Sequence, residues 1–455
     1  MVTDSDVIDL SNSRLFRDSD WIGVGKKYPK DAPTYIEAAL ERVLTVPEHY
    51  KGQLPKPDTP ILHFLTTNLP KISGELLVMK PAMWFSHDAP AADPTCLLTC
   101  PIPNANFLKS LENVIAQAWF DGSKSIADPR YNDGRDQLPL WSITFWRSMS
   151  VIVSRQSAWK RSYLWLEQQR DSKTHNEETK SEVEQAINIL SSLGWDSRLL
   201  YLHGTVTTVL LPVLLGRDWL SDDHVNIMME ELTKDVNKDE ALKDKIVIAP
   251  LGLANELMSQ GAKGVYQGAI LCRYEKHIKN KANEKLYFPV HVNGNHWIAA
   301  YIDFINGKIG YGELSFCTNW PMHSESMPGD SLIGMERQAE LTMKYLRKWL
   351  KVKFDLDPQV GGNVLAHGIQ TDTFNCGLAM GNTIEHSIFG RKLWTPVNAV
   401  KERIRWFLRL LANVDAAGEP SASVVSSEQV NADSEVSIDS DLLVKIQIKP
   451  NDRYT

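Results

Sequence analysis

The stretch TDTFNCGLAMGNTIEH, residues 371–386, sets one cysteine between a polar turn and an apolar run. The run LAMGNTIEHSIF follows Gly377 and stops at Gly390, a residue suited to the left-handed backbone that ends helices. This predicts a helix with Cys376 at its N-terminal end. There the unpaired backbone N–H groups and the helix dipole favour a thiolate. A free cysteine is mostly protonated at neutral pH, so this placement raises its reactive fraction. From the residues alone, Cys376 stays open between a nucleophile and the small buried hydrophobe that free cysteines commonly are.

Upstream, EKLYFPVHV and HWIAAYIDF bracket a turn at NGN, and INGKIGYGELS adds a second turn at Asn306 and Gly307. A run of antiparallel strands is predicted. His296 falls at a turn-to-strand junction where its ring is expected to stay partly open, and it is the candidate base. Glu313, at the end of the next predicted strand, is the candidate orienting acid, with Asp303 as the fallback. A one-residue slip in register turns Glu313 to the other face. Gln370, six residues before Cys376, offers a side-chain amide to a developing oxyanion beside the Cys376 N–H. These residues make up the inventory of a cysteine hydrolase. Each also has a plainer reading: a hydrogen-bonded histidine, a solvated strand-end acid, a loop glutamine.

Further out, VNAVKERIRWFLRLLANV spaces Val400, Ile404, Phe407 and Leu411 along one apolar face, and ERQAELTMKYLRKWLK predicts a helix over 336–351. The fold class is therefore α+β. Towards the N-terminus, NFLKSLENVIAQAWF and the aromatic stretch WSITFWRSMSVIVSRQSAWKRSYLWLEQQ predict helices, and their aromatic stripes read as core rather than as a binding platform. A boundary is expected near 195–205. It separates a region of unknown function over 1–200, largely helical after about 100, from a domain over 201–414. The tail 415–455 is rich in Ser, Ala, Glu and Asp without periodicity and is expected to be disordered.

The 455 residues are 43% hydrophobic and 23% charged, the profile of a soluble globular chain. A net charge of -7 without a long basic block argues against nucleic acid as a partner. The cysteines Cys96, Cys100, Cys272, Cys317 and Cys376 form no CxxC pair, so neither a disulfide framework nor a cysteine-rich zinc site is suggested, and a reducing compartment fits. The N-terminus MVTDSDVIDL lacks the pattern of a secretory signal, so an intracellular location, nucleus or cytoplasm, is expected. The most apolar run, VTTVLLPVLLG at 206–216, is too short to cross a bilayer and reads as buried core.

In order and spacing, the segments WLSDDHVNIMME, HWIAAYIDFINGKIGYGELS and QTDTFNCG within residues 215–390 resemble the Ulp1-like cysteine proteases of the adenain-like clan, which act on SUMO and other ubiquitin-like proteins. The resemblance implies a papain-like/adenain-like domain, with a central mixed sheet flanked by helices, following a mainly helical N-terminal region. It makes Cys376 the nucleophile, His296 the base, Glu313 the orienting acid and Gln370 the oxyanion donor. Trp219 and Trp297 match the tryptophans that enclose the substrate's narrow glycine pair, and Asp222 and Asn375 fall in the same substrate-binding segments. Three positions depart from the family pattern. Glu313 stands where cellular members usually carry aspartate, Asn375 replaces the aspartate before the cysteine, and Ser221 replaces the asparagine of the tryptophan box. Cys272 lies in the region 234–290, which the resemblance does not place closely, and reads as structural.

The implied activity is cleavage after the C-terminal glycine of a ubiquitin-like modifier such as SUMO, as an isopeptidase or processing protease with no cofactor and no metal. The partners expected are that modifier and its conjugates, with no membrane. One alternative is an acetyltransferase with a His-Glu-Cys triad; another is a catalytically silent module that binds the modifier. The tail segment 436–449 combines acids and serines with a β-prone run, which suggests a second modifier contact by strand addition.

Overall fold

The computed structural model describes residues 22–23, 25–73, 80–91, 93–129, 137–199, 206–280, 282–312, 315–316 and 331–412. Glu313, Cys317 and the tail beyond 412 lie outside the described residues.

The N-terminal part carries helices α1 (Thr34–Leu44), α2 (Glu48–Lys51), α3 (Ile61–Thr66), α4 (Ala105–Phe120), α5 (Ser142–Arg170) and α6 (Glu177–Ile189). It also carries a small antiparallel sheet of β1 (Phe85–Ser86), β2 (Ser125–Ala127) and β3 (Gln137–Pro139). The start of α4 follows from its cap, because the Asn104 side chain accepts from the Phe107 N–H at 2.9 Å. Its stripe of Phe107, Leu111, Ile115 and Trp119 is buried, as the periodicity predicts. The aromatic residues of α5 are core as expected, with Trp146 and Trp159 fully buried.

The later part runs α7 (Asp222–Lys238), β4 (Ile246–Ile248), α8 (Gly252–Lys263), α9 (Ala269–Lys279), β5 (Lys285–Val292), β6 (His296–Asp303), β7 (Lys308–Gly312), β8 (Ser315–Phe316), α10 (Ser331–Phe354), β9 (Gln359–Asn363), β10 (Ile369–Gln370), α11 (Cys376–Phe389) and α12 (Ala399–Leu411). The two predicted hairpins form. Asn293 (φ 53) and Gly294 (φ 70) supply the positive dihedrals of a tight turn between β5 and β6, and Gly307 (φ 58) does so between β6 and β7. Around this antiparallel trio the sheet grows by parallel strands in the order β4-β5-β6-β7-β9, with β4 beside β5 and β9 beside β7. A separate parallel pair joins β10 to β8.

The pleat divides the sheet's side chains between two cores. Leu286, Phe288, Val290, Ile298, Ala300 and Ile302 meet α8, α9 and α10. Tyr287, Trp297, Ala299 and Tyr301 meet α7, α11 and α12. Residues 206–216 read as buried core and are so in part: Leu211 and Leu214 of a short 3-10 helix around Pro212, and Leu215 after it, are fully buried. The second core does not stop at residue 200. Ile61 and Phe64 of α3, Trp159, Trp165 and Leu166 of α5 and Val183 of α6 belong to the same cluster as Met228, Cys376, Ile404 and Phe407. Helix α5, about 44 Å long at 1.5 Å per residue, carries Phe145 and Trp146 into the N-terminal core at one end and Trp159 into this shared core at the other.

Cys272, read as structural, is exposed on α9. Among the described residues no helix is long and apolar enough to cross a membrane, and no group of three metal-ligating side chains occurs.

Candidate active site

The turn before Cys376 is organised by Asp372. Its Oδ1 accepts from the backbone N–H groups of Phe374 (3.1 Å) and Asn375 (2.9 Å), and its Oδ2 accepts from Asn375 Nδ2 (2.7 Å). A short acidic side chain of this kind substitutes for a backbone turn and hands the chain into a helix. Helix α11 accordingly starts at Cys376, and Gly390, in the left-handed region at φ 66, ends it as predicted.

Cys376 is 2% exposed. Burial pushes its thiol up to about 11, and the backbone N–H groups of Trp297, Gly377 and Cys376 act more weakly in the opposite direction. Cys376 and Trp297 belong to one buried cluster, which brings the start of α11 to the start of β6. The thiolate expected from the helix end is thus not the resting state, because loss of solvent outweighs the dipole.

His296 is the first residue of β6, opposite Val292 across the hairpin, and is 3% exposed. The expectation of a partly open ring is corrected, since β6 is a central strand buried along its length. Burial lowers the His296 pKa to about 4, and the neighbouring charge of His291 acts in the same direction. Thiol and imidazole are therefore both neutral near pH 7.

The fallback acid, Asp303, is excluded by distance. It ends β6, about 23 Å from His296 at 3.3 Å per residue, where it accepts from the backbone N–H and the side-chain amide of Asn306, each at 2.9 Å. It caps the β6–β7 turn. Glu313 lies outside the described residues, and the recorded β6–β7 pairing ends at Ala299 opposite Gly312.

Gln370 is fully buried in β10, next to Phe316 of β8. Its Nε2 donates to the Asp372 carbonyl at 2.6 Å and stands 3.3 Å from Asp372 Oδ1. The amide expected at an oxyanion is held by the residue that shapes the Cys376 turn. Behind β10, Gly368 packs so closely on Trp394 that a Cβ there would collide with the Trp394 backbone.

The two tryptophans differ in exposure. Trp219 is 46% exposed. Trp297 is buried, its indole N–H donating to the Leu220 carbonyl at 3.3 Å. His291, its direct cross-strand partner, stacks on its face with centroids 4.1 Å apart at 14°. The expected two-sided slot is therefore covered on the Trp297 side.

Asp222 opens α7, exposed at its first position, and its charge reaches His291. Ser221 caps that helix with His224. The Ser221 N–H donates to His224 Nδ1 (3.2 Å), and His224 Nε2–H donates to the Leu210 carbonyl (2.7 Å). Asn375 is corrected from a substrate contact to an internal one, because its side chain is buried between Asp372 and Arg403.

Asp372, His291 and Arg403 are the residues that sequence reasoning missed. For Arg403 a signal existed: it stands three residues after Val400 and four before Phe407, a core position on an amphipathic helix.

Residues 218–407 match the model of the Ulp1 protease family, C-terminal catalytic domain. The chain carries a Ulp1-family thiol protease domain. Solved structures similar to this chain include the Ulp1 protease domain in complex with Smt3, the yeast ortholog of SUMO. It is 20% identical, covers 52% of this chain and 94% of its own, and has a TM-score of 0.36. The Chaetomium thermophilum Ulp1-like SUMO protease catalytic domain is 17% identical over 53% and 90% of the two chains, with a TM-score of 0.37. The Xanthomonas campestris effector XopD bound to ubiquitin is 13% identical over 42% and 91%, with a TM-score of 0.29. No curated protein sequence matches the chain significantly.

Proposed function

We propose that this thiol protease cleaves after the C-terminal glycine of a ubiquitin-like modifier, with a SUMO-like protein favoured, freeing it from a lysine or trimming its precursor. The observation that carries this reading is the setting of Cys376: a buried thiol at a helix start, in the same core cluster as Trp297 at the start of β6. The exposed indole of Trp219 offers a flat wall for residues that lack a Cβ.

With thiol and imidazole both neutral in the free protein, proton transfer from Sγ to His296 accompanies substrate arrival rather than preceding it. Sulfur then bonds to the glycine carbonyl carbon, and the carbonyl electron pair moves onto oxygen. The Cys376 N–H and the Gln370 amide, turned from Asp372, receive the oxyanion. Collapse breaks the C–N bond, and His296 returns its proton to the departing amine. Water, deprotonated by His296, hydrolyses the thioester and restores the thiol. Glu313 is proposed as the acid that orients His296.

The test is intact-mass detection of adducts with C-terminal electrophiles built on SUMO, ubiquitin and NEDD8, using wild type and Cys376→Ala. A single adduct that is lost in the variant is expected. A folded wild-type protein that reacts with no probe would overturn the reading.

A further inference from the structure

Arg403 is a buried charge to which the mechanism above gives no task. It lies on α12 at 2% exposure, and its guanidinium donates on every side. Nε donates to Asn375 Oδ1 (2.7 Å), Nη1 to the Val213 carbonyl (2.8 Å), and Nη2 to the carbonyls of Asp218 (3.0 Å) and Phe374 (3.3 Å). The group also stands 5.2 Å from the centre of the Phe374 ring. None of these recorded acceptors is a carboxylate. The connection to a negative charge runs through Asn375, whose Nδ2 donates to Asp372 Oδ2.

Anchoring α12 does not call for this arrangement. Ile404, Trp406 and Phe407 already bury its face, and apolar replacements of buried charges are often neutral or stabilising. The choice of partners is informative. Val213 and Asp218 belong to the segment that delivers Trp219, while Phe374 and Asn375 are the two residues before Cys376. A planar fork of five donors is the side chain suited to hold two such segments in one fixed relation.

We propose that Arg403 is a positioning residue that locks the Phe374–Asn375 turn to the Val213–Asp218 segment, setting the Cys376 thiol and amide against the surface that carries Trp219. The proposal rests on the reading of Cys376 as nucleophile. It makes the nucleophile turn and the Trp219 segment one mechanical unit, joined by a residue that touches no substrate. Lysine at this position keeps the charge but cannot reach all four acceptors in these directions.

The experiment compares full-length wild type, Arg403→Lys and Arg403→Met by two readouts below their melting temperatures. In turnover of a modifier fusion, kcat falls about 10- to 100-fold while KM stays within about threefold, as misplacement of reacting groups predicts. In hydrogen exchange, amides of 213–219 and 374–377 lose protection together while the middle of α11 keeps it. Wild-type kcat in a variant with a lowered melting temperature would overturn the proposal, as would loosening of only one segment. Should neither Arg403 variant fold, Asn375→Ala, which removes the Nε acceptor together with the Nδ2 donor to Asp372, carries the test with the same expected split. If the wild type itself turns over no modifier, the reading of function fails, and exchange decides on the lock alone. Joint loosening then upholds it, and separate loosening or none overturns it.

Discussion

A thiol at the first position of a helix ordinarily gains from the dipole, yet at Cys376 burial holds the proton on, and the thiol is pushed up to about 11. Alkylation of Cys376 by iodoacetamide in the substrate-free protein should therefore climb roughly tenfold per pH unit from pH 7 to 10. A rate already level below pH 7 would reveal a preformed thiolate–imidazolium pair instead. His296 titrates with the opposite consequence for the fold. Its folded-state value of about 4 lies below the ordinary 6.5, so between the two the unfolded chain binds more protons. The stability contribution is complete above about pH 6.5 and is lost as pH falls towards 4, on the order of 3 kcal/mol. Urea melts at pH 7 and 4.5 should show this slope in wild type and a shallower one in His296→Gln. The places of Cys376 at a helix start and His296 at a strand start were legible because a turn and a helix stop fix the chain around them. Asp372 was not, since an acid in TDTF reads as a generic turn residue. Arg403 stands on the apolar face of its helix, where a charged residue breaks the pattern, and its spacing from Val400 and Phe407 was the signal passed over.

At the scale of elements, the hairpins and α12 were readable from turn residues and a 3.6-residue period, whereas the sheet's outer strands were not. The strand β4 has only three residues, and β9, QVGGN, lacks alternation and is largely exposed, so no periodic signal marks either. Helix α11 is buried over most of its length and has no polar face. Its ends, not its periodicity, gave it away. One polar residue inside it does mark its packing. Glu385, fully buried, binds Arg405 (2.6 Å) and Arg409 (2.7 Å) of α12, and Arg409 also pairs with Asp235 of α7. Arg405 keeps Glu402 and Arg409 keeps Asp235 when Glu385 loses its charge, so Glu385→Gln should lower stability by about 1.5–3 kcal/mol in urea denaturation. A loss under about 1 kcal/mol would mean that solvent already compensates those arginines.

Across the whole molecule, the expected boundary near 200 follows a real change in pattern, from helices to mixed strands and helices, but the packing crosses it. Composition registers such a change, while contacts between distant segments leave no local signature. Salt bridges cross it as well: Lys401 of α12 pairs with Glu178 of α6 at 2.6 Å. A chain beginning at residue 206 would uncover the partners of Trp159, Trp165 and Leu166, each such contact worth about 1.5–3 kcal/mol. It should lack a cooperative thermal transition by circular dichroism, and a sharp transition near that of the full chain would show the later part to be self-sufficient. The shared core also sets a timetable. Helix α5 leaves the ribosome long before α12, and at 5–20 residues per second the interval between Trp159 and Leu411 is roughly 10–50 s. During that time the α6 face that packs on α12 waits uncovered beside these tryptophans, so the nascent chain should be a client of chaperones that shelter apolar surface until translation has passed α12.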